Sequence, residues 1–179
     1  IYRDETYGFQ AKGKADWAIL VDADEFTYHP KIRNILKKYK EQGVGIPRLV
    51  GYNMYSKQFP AHTKEKLITS QVKKGHLNLA ECKPVIVDPN KIEAKFCVGA
   101  HFHSEVSGPA YPSAFPDIKL LHYKCLSKDY VTSRYKQLAP RSSCTNKMNK
   151  FGEHWYSKRS HTDMEESFDS SYKTAKTII

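Results

Sequence analysis

The chain has 179 residues, 40% hydrophobic and 27% charged, which is enough for one globular domain with its own core. An aromatic share of 12% with 9 Gly and 9 Pro excludes collagen and low-complexity chains and argues against disorder. Lys and Arg number 29 against 19 Asp and Glu, giving +10, and residues 118–160 hold ten of the basic side chains and two of the acidic ones. Such a concentration fits an anionic partner, or equally a solubilising surface.

No apolar run approaches the roughly 18–20 residues that span a bilayer, so no transmembrane segment is expected in this chain. The first residue is Ile1 and no signal-peptide pattern follows, which reads as a fragment or a processed product. Cys82, Cys97, Cys125 and Cys144 are widely spaced and form no CxxC pair. A zinc knuckle or a disulfide scaffold is therefore not expected, and the four read mostly as reduced, small apolar residues.

In chain order, the first element is the continuous apolar run at residues 17–21, which predicts a strand buried on both faces. His29-Pro30 opens a helix with Pro at its first position. Ile32, Ile35, Leu36 and Tyr39 give that helix an i, i+3, i+4, i+7 stripe, and Gly43 is its expected C-terminal cap. Residues 44–55 read as extended, and the Lys-rich segment 59–79 as a surface excursion. A hairpin is expected from residues 84–87 through a turn at 88–91 to a strand over 92–103. A strand at 118–123 leads into a helix over 127–138, with Tyr130, Val131, Arg134, Tyr135 and Leu138 on one face. Residues 140–160 read as basic and irregular, and 164–179 as a terminal helix. Buried strand followed by amphipathic helix is the grammar of a layered α/β domain.

The strongest chemical pattern is Asp22-Ala23-Asp24-Glu25, directly after the first strand. In open α/β sheets ligands bind beyond the carboxyl ends of strands. In extended backbone Asp22 and Asp24 point to one side, and two hard oxygen ligands there suit Mg²⁺ or Mn²⁺ with substrate phosphates. The plainer alternative is an acidic turn at the N-terminus of the following helix. His101, His103 and Glu105 alternate, so on a regular strand they share a face. That face is either a metal or substrate-contacting cluster, or an ordinary solvent-facing one. His122 closes an apolar strand and by itself reads as a core or surface histidine.

The segment DWAILVDADEF, residues 16–26, resembles the box of GT-A-fold glycosyltransferases, in particular the family 2-like group whose strand runs into D-x-D-E-F. Lys83-Pro84-Val85-Ile86-Val87, Gly99-Ala100-His101-Phe102-His103 and Leu120-Leu121-His122-Tyr123-Lys124 are similar to later landmarks of that group, so the likeness spans residues 14–138. It implies an α/β fold with a GT-A-like mixed sheet flanked by helices. It also implies a D-x-D box that contacts the nucleotide ribose and a divalent metal, which bridges the donor diphosphate. GT-A enzymes carry a nucleotide-binding βαβ half before this box, whereas only sixteen residues precede Trp17. The expectation is therefore an incomplete or fragmentary domain: a C-terminal catalytic portion over residues 1–160 and a terminal helix or tail over 161–179.

The implied function is metal-dependent transfer of a sugar from a nucleotide-sugar donor to a glycan or other hydroxyl acceptor, with Mn²⁺ or Mg²⁺ as cofactor. Asp22, Asp24 and His122 are the expected metal ligands. Glu25, His101, His103 and Lys124 are the expected substrate contacts, Lys124 belonging to the basic segment that can screen a diphosphate. An inverting transferase needs a base for the acceptor hydroxyl. Glu105 is the first choice for it and Asp117 the second, with Glu81 the remaining carboxylate between the box and His122. Two other functions compete: a basic nucleic-acid or polyanion-binding module, and a metal phosphohydrolase using the same carboxylates. Aromatics interleave the basic segment as in single-strand binders, but no RNP, KH, P-loop or zinc-finger pattern accompanies them, so no nucleic-acid partner is expected.

Overall fold

A computed structural model describes residues 10–96, 103–107, 118–148 and 158–179. The fold is α/β, a mixed sheet flanked by helices. Its strands and helices are β1 (Ala18–Ile19), β2 (Glu25–Tyr28), α1 (Ile32–Glu41), β3 (Leu49–Tyr55), α2 (Ile68–Gln71), β4 (Lys74–Leu77), β5 (Ile86–Val87), β6 (Glu93–Phe96), β7 (His103–Ser107), β8 (Ile118–Cys125), α3 (Lys128–Leu138), α4 (Cys144–Met148), α5 (Lys158–Thr174) and β9 (Lys176–Thr177). Two compact units result, one from the chain up to Tyr52 with Leu77–His122, the other from Asn53–His76 with Tyr123–Ile179.

In the first unit, α1 forms for the reason its sequence gives. Ile32, Ile35 and Leu36 pack beside buried Tyr39 on a cluster with Val44, Leu49, Val85, Ile86, Ile118 and Leu120. Gly43 ends the helix at φ +76°, a conformation glycine adopts without the Cβ clash. Pro30 lies just outside the helix, whose N-cap is Lys31. β2 pairs antiparallel with β8, with Glu25 opposite His122 and Phe26 opposite Leu121, and β8 is flanked on its other side by β3.

The run at 17–21 is not a strand buried on both faces. β1 covers only Ala18–Ile19 and pairs antiparallel with β5, a pairing that Leu20 N–H extends by donating to Val85 O at 2.8 Å. Ala18 and Leu20 pack on Ile46, Val87 and Ile92, while Ile19 and Val21 are 43% and 37% exposed. The expected hairpin at 84–103 is corrected as well. Val85, Ile86 and Val87 are fully buried, and β5 gives its edge to β1, leaving β6 to pair with β7. The turn between β5 and β6 forms as expected, Asp88 Oδ1 accepting from Asn90 N–H and Asp88 O from Lys91 and Ile92 N–H.

In the second unit, β3 and β8 continue, and β4 pairs antiparallel with β9. The supposed surface excursion 59–79 thus contains α2 and the strand β4. Ser127 caps α3, its hydroxyl accepting from Tyr130 N–H at 3.1 Å. Val131 and Tyr135 of α3 pack with Cys125 and with Phe168 of α5, and Thr132 Oγ1 donates to Glu165 Oε1 at 2.8 Å. The terminal helix starts at Lys158 and stops at Thr174, before β9. Among the described residues Cys82, Cys125 and Cys144 are free, and only Cys125 is buried. No described helix is long and apolar enough to cross a membrane.

Candidate metal centre

The site lies wholly in the first unit and grows from the β2–β8 pair. Alternation along β8 puts Ile118, Leu120 and His122 on one face. Ile118 and Leu120 enter the apolar cluster, and His122, next in that row, sits where the cluster ends. Across the ladder stands Glu25, the first residue of β2, at the spacing of directly opposed side chains.

Asp22-Ala23-Asp24-Glu25 is a turn and not the extended segment expected. Glu25 N–H donates to Asp22 O at 3.0 Å, and Asp22 N–H donates back to Glu25 Oε2 at 3.1 Å. The reciprocal bonds fold the box onto itself. The acidic side chains are therefore gathered by the turn and not by strand alternation. Asp24 Oδ2 comes within 3.3 Å of His122 Nε2, and Asp22 Oδ2 within 3.8 Å of Lys83 Nζ.

Glu81 and Lys83 arrive from the other side. A 3₁₀ turn over Leu79–Glu81 is capped by Asn78, whose side chain accepts from Ala80 N–H. That turn rests directly on Gly51 of β3. A Cβ at Gly51 would lie 2.2 Å from the carbonyl carbon of Glu81, so only glycine permits this approach. Gly51 N–H donates to Cys82 Sγ, and its carbonyl accepts from Asn78 N–H at 2.9 Å. So held, Glu81 Oε1 is 3.0 Å from His122 Nδ1 and Oε2 is 3.3 Å from Lys83 Nζ. Lys83 Nζ also donates to Glu25 Oε1.

Four carboxylates, from Asp22, Asp24, Glu25 and Glu81, thus surround one ammonium and one imidazole. Glu25, Glu81 and Lys83 are buried, while Asp22 keeps a 46% exposed side chain. Burial works against the Lys83 charge. The Glu25 hydrogen bond and the charges of Glu25, Glu81 and Asp22 outweigh it and hold the lysine pKa above its ordinary value. A negative excess in low dielectric is costly unless compensated, and a divalent cation is one such compensation. One donor atom each from Glu25, Glu81 and His122 lies within 4.8 Å of the others. Carboxylate oxygens with one imidazole fit Mn²⁺ and, less well, Mg²⁺.

The sequence-based expectations are met unevenly. Asp24 and His122 meet, and Asp22 stands at the rim beside Lys83. Glu25, expected as a substrate contact, is buried and lies in the carboxylate cluster. Lys124 follows His122 by two residues on β8 but belongs to the second unit. Glu105 and His103 lie on the backbone of β7, opposite Lys95 and Phe96, and the register shifts between those two partners. His101 and Asp117 fall outside the described residues. Lys83 was legible only as part of a landmark and Glu81 only as a spare carboxylate. The signal was two charges, Glu81 and Lys83, set immediately before the wholly apolar Pro84–Val87 stretch.

Comparison with protein-family models, with curated proteins and with solved structures finds no match to this chain.

Proposed function

We propose that this chain carries the metal- and donor-binding part of a glycosyltransferase of the GT-A, family 2-like kind, transferring a sugar from a nucleotide-sugar to a glycan or other hydroxyl acceptor. The observation that carries the reading is the Asp24–His122 approach of 3.3 Å. Residues 98 apart in the chain, each matching a landmark of that group, come together with Glu25 and Glu81 beside them.

In this reading Asp24, Glu25, Glu81 and His122 hold Mn²⁺ or Mg²⁺. The ion when bound would neutralise charge on the departing nucleoside diphosphate, as metal clamps do for phosphoryl oxygens. Asp22, the exposed carboxylate of the box, would take the nucleotide ribose. Glu81 Oε1 stands 3.0 Å from His122 Nδ1 while Nε2 is 3.3 Å from Asp24, so a carboxylate lies beside each ring nitrogen, and outer carboxylates of this kind help set a ligating imidazole. Glu105 remains the first choice for the acceptor base, with Asp117 second, and the donor and acceptor contacts of His101, His103 and Lys124 stay part of the same reading.

Calorimetry with Mn²⁺ and a panel of nucleoside diphosphates tests it. Asp24→Ala should abolish Mn²⁺-dependent nucleotide binding while the melting temperature changes little. Unchanged nucleotide affinity in that variant refutes the assignment. Phosphate release without any acceptor would favour a phosphohydrolase instead.

A further inference from the structure

We propose that Lys83 is a built-in stand-in for the divalent cation, and that it sets how tightly the site binds metal by competing for the same carboxylates. This rests on the metal-centre reading above and adds to it a residue that no ligand motif names.

Lys83 Nζ contacts Glu25, Glu81 and Asp22. Glu25 and Glu81 are also two of the three residues whose donor atoms lie within 4.8 Å of one another. The ammonium and an ion at that triad would therefore share ligands and stand within a few ångströms of each other, where like charges repel strongly in a water-poor site. Glu81 makes the competition explicit, since Oε2 is committed to Lys83 and Oε1 to His122. Without metal, the lysine keeps the carboxylates close together and preserves the site. With metal, it must yield.

The way it yields is also built in. Pro84 follows Lys83, and Val85, Ile86 and Val87 are fully buried, so the backbone there is anchored. The four-carbon stem is flexible, and Asp22, the exposed carboxylate at 3.8 Å, marks the direction in which the ammonium can withdraw toward water. The lysine is thus a positioning residue that acts through the ligands it shares.

The test is Mn²⁺ titration calorimetry, with thermal melts, on the wild type and on Lys83→Met, Lys83→Gln and Lys83→Arg. Met and Gln should lower the Mn²⁺ Kd at least about tenfold, which is about 1.4 kcal/mol, and Arg, which keeps the charge, should not. Mn²⁺ should also raise the melting temperature of Lys83→Met more than that of the wild type, restoring its fold if the metal-free variant is unfolded. Met and Gln variants that bind no tighter than a Mn²⁺-binding wild type overturn the inference alone. So does a gain in Lys83→Arg, or a Lys83→Met chain that stays unfolded in saturating Mn²⁺. No Mn²⁺ binding by the wild type or any variant overturns the metal-centre reading itself.

Discussion

Two clusters stand side by side in the first unit, and the same strands feed both. Tyr39, Val44, Leu49, Val85, Ile86, Ile118 and Leu120 form an apolar cluster that needs only volume and shape. Glu25, Glu81, Lys83, His122 and Asp24 form a charged one, in which each group is held by its partners. Lys83 precedes the residues that enter the apolar cluster from β5, and His122 follows those that enter it from β8. The contrast teaches where this fold tolerates change. Apolar packing is replaceable by similar packing, whereas a buried charge network loses its balance when one member goes.

Placing the same residue in both clusters gives the sharpest contrast. Lys83→Met leaves the buried carboxylates without their ammonium and should cost about 3–5 kcal/mol, the range for breaking a buried pair. Leu120→Met conserves volume and should cost less than about 1.5 kcal/mol. Urea denaturation in the absence of divalent ions measures both. Equal costs would erase the distinction between the clusters.

Glycines extend the comparison to the second unit. Gly51→Ala drives a Cβ into the Glu81 backbone, and overpacking of this kind costs about 1–3 kcal/mol. Gly75→Ala meets Asn53 O at 2.7 Å and Met54 Sδ at 2.9 Å, within the second unit, and should cost a similar amount. Only Gly51→Ala should also weaken Mn²⁺ binding, because only it displaces a proposed ligand. Parallel loss of Mn²⁺ affinity in both variants would contradict the assignment of Glu81.

The smallest effect is one of pH. Burial pushes the Tyr55 phenol up, and so do the charge and hydrogen bond of Cys125, from an ordinary value of 10.0. A group whose folded pKa is raised contributes stability that is intact below its unfolded pKa and lost as pH rises toward the folded value. Stability should therefore decline above pH 10.0, and Tyr55→Phe should make that decline shallower. Lys83, also raised, adds its own loss only above 10.5. Chemical denaturation at stepped alkaline pH reads the difference between wild type and Tyr55→Phe, and identical slopes would remove Tyr55 from the account.

What the sequence revealed follows from how local each signal is. The stripe of α1, the Gly43 cap, the Ser127 start of α3 and the strand that carries His122 were all legible, since helical spacing, caps and apolar runs act over a few residues. The pairing of β5 with β1, in place of a hairpin with β6, was not, because any strand with buried faces can choose among several edges. The box was legible as chemistry but not as geometry. The box is folded by the reciprocal Asp22–Glu25 bonds, which no alternation rule contains. Glu81 and Lys83 were hidden for a third reason. Their importance depends on Gly51 accepting a 3₁₀ turn against its bare Cα, a long-range contact with no periodic trace.

The central claim is that the buried carboxylates and His122 form one divalent-cation site. Crystals of the protein soaked with Mn²⁺ and measured for anomalous scattering address it directly. The account predicts a single strong peak bounded by Asp24, Glu25, Glu81 and His122, with Lys83 Nζ drawn away from Glu25. Density with no peak there, and Lys83 still bonded to Glu25 and Glu81 in saturating Mn²⁺, would contradict it.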